Sequence, residues 1–394
     1  MLHAHWSLAT LILYLFLGFW GMLCIYTYNR NVLRGMHLKN ASRRYYFAFV
    51  SIWTFFAVFR YVTYDIGGAD AIDYIEFFKL SLKDSVQYLH GSEDYAFLYL
   101  NKVIRYFTDD YHWFFAVVYG LIAFVYAIFV RRFSNPKFCV VPFVLLFYVY
   151  LRSYNTLRSN LTSAVILMGL IFIADRKYYR AYIFLILSAL IHKAGLLFAM
   201  AIPFCHYFKQ QEFKVKYAFL FTGMLIACAS IIRMFLINFF SDSGLEGAYE
   251  SYVRESEENS IFASATEFFG QWTLWAVLIL QHNKISSYIH TLGSENDKMA
   301  FKILYVLCFY DLILMPFNTL MGIWRGYEFF YPARLCMWSM LIYLWSRNKG
   351  SGFRFFIRIG FLLFFVSWMI FRISRTYESS SLMPYIFEPF INLI

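Results

Sequence analysis

AYIFLILSALIHKAGLLFAMAIPFCH, residues 181–206, is an apolar run with His192 and Lys193 set near its middle. Its two flanks are basic: Arg176, Lys177 and Arg180 precede it, and Lys209, Lys214 and Lys216 follow. Lys and Arg beside apolar runs mark the cytoplasmic side of a membrane, so both flanks read as cytoplasmic. One crossing cannot begin and end on the same side. If the run did cross once, the acidic 241–266 loop would turn inward and the basic 347–354 loop outward. The expectation is a broken or re-entrant helix pair with its bend at His192-Lys193. The run is too short for two full spans, each of which needs ~20 residues. Irregular backbone at membrane depth is tolerated only against protein or a wet cavity.

The rest of the chain extends this reading. Of 394 residues, 61% are hydrophobic and 15% charged, against roughly 45–50% apolar and about 25% charged in soluble domains. Further apolar runs cover residues 8–24, 217–232 and 355–371, and the 33 Tyr and 47 Phe gather near run ends as interfacial belts do. The fold class expected is an all-α polytopic membrane protein of about 10–12 transmembrane helices, the broken pair included. It forms one transmembrane domain, residues 1–394, with no internal repeat. Basic residues 29–44 place the N-terminus outside, and outer-face segments follow at about 63–111 and 241–266. The net charge of +11 is spread over short loops beside spans, which topology explains without nucleic acid. The cysteines lie in or beside apolar runs without CxxC spacing and read as packing residues; no cofactor and no metal site is expected.

In this topology Arg60, Arg158, His192, Lys193, Arg233, Asp311, Arg325 and Arg334 all fall in the outer half of the membrane or at its edge. Charges in spans are costly and face a bundle interior or a wet cavity. A mostly cationic outer pocket suits an anionic ligand arriving within the membrane, such as a lipid-linked phosphate or diphosphate. In Arg152-Ser-Tyr-Asn-Thr-Leu-Arg158, Asn155 is placed to cap a helix and Arg158 to stand in its first turn, where free amides and a guanidinium suit phosphate. Snorkelling of Arg152 and Arg158 to headgroups explains the spacing equally well. His192 can exchange a proton near neutral pH and Lys193 can neutralise phosphate. After Arg60, Gly67-Gly68 permits a sharp turn and Asp70 opens a short helix bearing Asp73 and Glu76. An ordinary cap with a solvated acidic face accounts for that stretch at least as well. Arg325 and Arg334 flank Tyr331 at a span end, a pattern shared with interfacial anchors, and Asp311 is expected to pair with an arginine.

These residues, in this order, resemble the EpsG-type branch of the Wzy-like polysaccharide polymerases. The resemblance is carried by Arg60, Gly68, Asp70 and Tyr74; by Glu93, Tyr95 and Leu100-Asn101; by Arg158; and most of all by Ile191-His-Lys-Ala194 after a basic turn and an apolar helix. Ser159 stands where the family usually has Gln, and Gly-Gly-Ala-Asp replaces the commoner Gly-Thr-Asp. The resemblance implies a GT-C-like, metal-independent glycosyltransferase of the bacterial inner membrane with its active site facing the periplasm or cell exterior. It would join oligosaccharide repeat units carried on undecaprenyl diphosphate, whether for O-antigen, capsule or exopolysaccharide. Arg60, Arg152, Arg158, Lys193, Arg325 and Arg334 would bind the lipid diphosphate, with His192 beside them. Asp70 would act on the acceptor hydroxyl; Tyr74, Glu93 and Asp94 are candidate acceptor-sugar contacts. Implied partners are the glycan-bearing donor and acceptor lipids, membrane lipids, a chain-length regulator and a flippase. The alternatives are a lipid-linked oligosaccharide flippase, which would show repeated halves, and an O-antigen ligase.

Overall fold

The computed structural model describes residues 5–88, 94–133, 143–193, 195–209, 215–243, 273–320, 326, 328–347 and 349–389. Among these the chain is all-helical apart from one isolated antiparallel bridge, Arg60 to Phe387. The helices are α1 (Leu8–Leu33), α2 (Leu38–Val58), α3 (Ala71–Leu80), α4 (Tyr95–Phe107), α5 (Tyr111–Phe133), α6 (Val144–Arg152), α7 (Leu157–Ala174) and α8 (Tyr178–Ile191). Then come α9 (Gly195–Ala199), α10 (Ala201–Phe208), α11 (Val215–Ser243), α12 (His282–His290), α13 (Glu295–Leu320), α14 (Tyr331–Ser346) and α15 (Ser351–Ser380). By length and composition α1, α5, α7 and the Ser351–Arg375 part of α15 can cross a membrane. The expected set of about 10–12 spans is thus only partly present among the described residues. The α2 helix carries Lys39, Arg43 and Arg44 in its first turns, α6 has 9 residues and α8 has 14.

The chain gathers into two compact units, Met1–Ile202 with Leu335–Ile394, and Pro203–Arg334. In the first, α1 packs on α2 and α6, α2 on α5, α5 on α7, and α7 on α8. Polar side chains tie these helices to one another. Trp53 Nε1 donates to the Leu17 carbonyl at 3.1 Å, the Tyr45 hydroxyl to the Ala127 carbonyl at 3.0 Å, and the Tyr126 hydroxyl to Asn160 Oδ1 at 3.2 Å. Lipid offers no competing partners, so such groups bond between helices. In the second unit α11 packs on α13, and Trp275 Nε1 donates to the Cys308 carbonyl at 3.2 Å.

The broken pair expected at His192-Lys193 is present. The α8 helix ends at Ile191, His192 is extended (φ −156°, ψ 117°), and helix resumes at Gly195. A Cβ on Gly195 would come within 2.4 Å of Thr162 Cγ2, so glycine is what lets the restart approach the first turns of α7 so closely. Further on, a Cβ on Gly169 of α7 would meet Ile202 at 2.5 Å and Phe184 of α8 at 3.3 Å, so both side chains lie against that glycine. The chain therefore climbs α8 antiparallel to α7, turns at His192-Lys193, and returns beside α7. At ~1.5 Å per residue the α8 arm is about 21 Å long, short of a ~30 Å hydrocarbon core.

The C-terminal segment closes the first unit. After α15 it runs beside the end of α2: the Tyr61 amide donates to the Ile386 carbonyl at 2.8 Å and the Glu388 amide to the Phe59 carbonyl at 2.9 Å. The Tyr14 hydroxyl donates to the Leu382 carbonyl at 2.6 Å, which fastens the same segment to α1.

Candidate functional site

Asp94 stands at the N-cap of α4, yet its carboxylate makes no cap bond. It is spent on tertiary partners instead. Arg158 Nη1, in the first turn of α7, donates to Oδ2 at 2.9 Å. His192 Nδ1, at the end of α8, lies 3.2 Å from the same oxygen. The backbone amide of Lys193 donates to Oδ1 at 3.1 Å. One carboxylate therefore joins α4, α7 and the α8–α9 bend. The Asp94 side chain is 6% exposed, Arg158 12% and His192 25%, so the acid is sealed while the imidazole is open to an incoming group. Burial alone would raise the Asp94 carboxyl. The bonds from His192 and the Lys193 amide, with the charges of His192 and Arg158, outweigh it and hold the group below its ordinary 3.8.

Arg158 is further positioned over the ring of Phe97, 6.0 Å from its centroid, and Phe97 meets Tyr74 of α3 edge-on at 6.1 Å. Thr162 caps nothing; its hydroxyl donates back to the Arg158 carbonyl at 2.8 Å. The Lys193 side chain is exposed. The cluster thus sets a guanidinium, an imidazole and a backbone amide around one shielded carboxylate. Such a set can neutralise an anion and move a proton. Among the described residues no three His, Cys, Asp or Glu side chains gather as metal ligands would.

The glycine turn is built as its sequence suggests, but its partners were not legible. Gly67 and Gly68 have φ of +87° and +114°, and both amides donate to the Ser381 carbonyl, at 2.8 and 3.1 Å. The Ala69 amide donates to Asn155 Oδ1 at 2.9 Å. Asn155 is therefore not the cap of α7: Thr156 occupies that position, and the amide oxygen is claimed by the turn. A Cβ on Gly68 would lie 2.7 Å from the Tyr154 carbonyl oxygen. Asp70 follows the turn, half-buried at the N-cap of α3.

The remaining nominated residues divide. Arg60 was expected to bind lipid diphosphate, but it is 1% exposed. Its Nε donates to the Gly67 carbonyl at 2.7 Å, Nη2 to the Tyr119 hydroxyl at 2.7 Å, and Nη1 to the Ala57 carbonyl. The rings of Tyr154, Phe115 and Tyr119 enclose it at 4.1–4.8 Å. It locks the turn to α2 and α5. Arg334, in the second unit, forks onto Asp311 with Nε–Oδ2 2.5 Å and Nη2–Oδ1 2.7 Å, both side chains 6% exposed. The expected arginine partner of Asp311 is thus Arg334, which is turned inward instead of facing an open pocket. Tyr74 and Asp94 are buried, so neither offers a surface to a sugar. Arg152 is half-buried at the end of α6. Glu93 and Arg325 lie outside the described residues. A groove of about 920 Å³ between α2 and α5, lined by Tyr46, Val50, Thr54, Phe59, His112 and Gly120 among others, contains none of the nominated residues.

The sequence reading missed Asp94 as the hub and Ser381, Tyr119 and Asn155 as the scaffold of the turn. Their partners lie 64 and 98 residues away for Asp94, and no spacing pattern reports such pairs. No curated protein and no solved structure matches the chain. The model of the EpsG family matches residues 43–387, a span that takes in the turn, the Asp94 hub, the bend and the C-terminal segment. The chain therefore belongs to the EpsG family.

Proposed function

We propose that the protein is a membrane glycosyltransferase that polymerises undecaprenyl-diphosphate-linked oligosaccharide repeat units at the periplasmic face of the inner membrane. Family membership points to a polysaccharide polymerase in general. The observation that carries the finer reading is the Asp94 cluster, with Arg158, Lys193 and His192 at one bend of an apolar helix pair. A guanidinium and an imidazole held by a buried carboxylate keep their geometry before the substrate arrives, which is what stabilises charge developing on a diphosphate as its bond to the sugar breaks. The growing chain would leave its lipid and join the non-reducing hydroxyl of a new lipid-linked unit. The second lipid diphosphate stays attached to the product; the first is released. Asp70 and His192 are the two groups proposed to take the hydroxyl proton. A chain-length regulator and a flippase are proposed as partners.

The test is reconstitution of the purified chain in liposomes with single lipid-linked repeat units. The expected result is a ladder of longer lipid-linked glycans with release of one lipid diphosphate per bond formed. Movement of intact units across the bilayer with no ladder would make the protein a flippase. Transfer only to a lipid A core acceptor would make it a ligase.

A further inference from the structure

We infer that Asp94 is a positioning residue that fixes the tautomer of His192 and so makes His192, and not Asp70, the proton acceptor of the transfer step. This inference rests on the polymerase reading above. The geometry is that of a carboxylate–imidazole pair. Asp94 Oδ2 lies 3.2 Å from Nδ1, and an ionised carboxylate only accepts, so Nδ1 carries the proton. The neutral ring then offers its lone pair at Nε2, which makes no hydrogen bond among the described residues. Two further bonds, from Arg158 Nη1 and the Lys193 amide, hold the carboxylate itself. The Lys193 amide is adjacent in sequence to the histidine it helps to aim, so bend and carboxylate move as one.

Exposure separates the roles. Asp94 is sealed and cannot reach a sugar, whereas a quarter of the His192 side chain is open. In the step inferred, the acceptor hydroxyl oxygen bonds to the donor's anomeric carbon. The bond from that carbon to the diphosphate oxygen breaks, and its electron pair leaves on the diphosphate. The hydroxyl proton passes to Nε2, and the imidazolium is stabilised by Asp94 until the proton is lost to water. The charged groups around the ring are Asp94 from the α4 cap, Arg158 from α7 and Lys193 on the bend.

The experiment is the pH profile of kcat and KM for polymerisation by the full chain in liposomes, for the wild type, Asp94→Asn, Asp94→Glu, His192→Ala and Asp70→Asn. Asp94→Asn is expected to lower kcat by about 10²–10⁴-fold, with KM changed less than about threefold. The acid limb of the kcat profile should move to lower pH, because the ring loses its anionic partner. Asp94→Glu should restore part of the rate and of the limb, and His192→Ala should abolish the limb. Asp70→Asn should keep the limb whatever its rate. A limb unmoved in Asp94→Asn, or abolished in Asp70→Asn, would overturn the inference. Equal loss of kcat and donor-lipid binding in Asp94→Asn would reduce Asp94 to a structural role and also overturn it. A wild-type chain that forms no glycosidic bond would overturn the polymerase reading itself, and the inference with it.

Discussion

Among the described residues, one buried arginine–carboxylate pair in each unit invites comparison, and the two are built differently. Arg334 and Asp311 meet as a closed fork, two nitrogens on two oxygens, with the Tyr331 ring 4.7 Å from the guanidinium. The acid has both oxygens committed to the one base. Arg158 and Asp94 share a single contact, and the spare capacity of the carboxylate goes to an imidazole and a backbone amide. The fork holds charge in place. The open pair holds a third group, His192, toward the exterior of the protein. Apolar packing can replace a closed pair with little loss, whereas an open pair that aims a titratable group has no apolar substitute.

The strongest way to break this comparison is to remove one acid from each pair. Asp311→Ala leaves Arg334 buried without its carboxylate and should destabilise the protein by about 3–5 kcal/mol, read as a lowered thermal midpoint in detergent. Asp311→Leu combined with Arg334→Met should recover most of that loss. The same paired exchange at Asp94 and Arg158 should leave a folded protein that forms no polymer. Recovery of polymerisation by that second double variant would erase the distinction.

A smaller effect concerns the scaffold of the open pair's unit. Gly68→Ala forces a side chain into a backbone at φ +114° and against the Tyr154 carbonyl. The expected cost is about 1–3 kcal/mol, measured by the thermal midpoint. An unchanged midpoint would mean that the turn relaxes away from Ser381 and Asn155 and does not need its clamp.

The smallest effect is in acid. The Asp94 carboxyl is held below its ordinary 3.8, so its contribution to stability is present above that pH and is lost as pH falls through the depressed value. Asp94→Asn should therefore be less stable than the wild type near pH 6, and the gap should close below about pH 3.8. A gap that stays constant to lower pH would assign the stabilisation to shape and not to charge.

How much of this was legible in the sequence depends on the range of each interaction. The bend at His192-Lys193 could be read because two polar residues interrupt an apolar run whose flanks are both basic, and that signal is local. The Gly67-Gly68 turn was local as well. Asn155 was misread because a cap is a local rule, and a tertiary donor, the Ala69 amide, outcompeted it. The surroundings of Arg60 were illegible for a related reason: in sequence an arginine at a span end looks the same whether it faces a ligand or three aromatic rings. Asp94 was seen as an outer carboxylate, but its role depends on residues far along the chain. Of the spans read from hydropathy, four helices among the described residues are long and apolar enough to cross a membrane, and three further apolar helices are shorter; hydropathy does not separate a full crossing from the short arms of a helical hairpin.

The central claim is that the open pair, and not the closed one, carries the chemistry. The most direct test compares Arg158→Ala with Arg334→Ala in one liposome polymerisation assay, with rates expressed per folded molecule. Arg158→Ala is predicted to lose about 10²–10³-fold, the scale of about 2.7–4 kcal/mol for a lost transition-state donor, with only partial rescue by Arg158→Lys. Arg334→Ala is predicted to give less folded protein but an unchanged rate for each molecule that folds. Equal per-molecule losses from the two variants, or a greater loss from Arg334→Ala, would contradict the account.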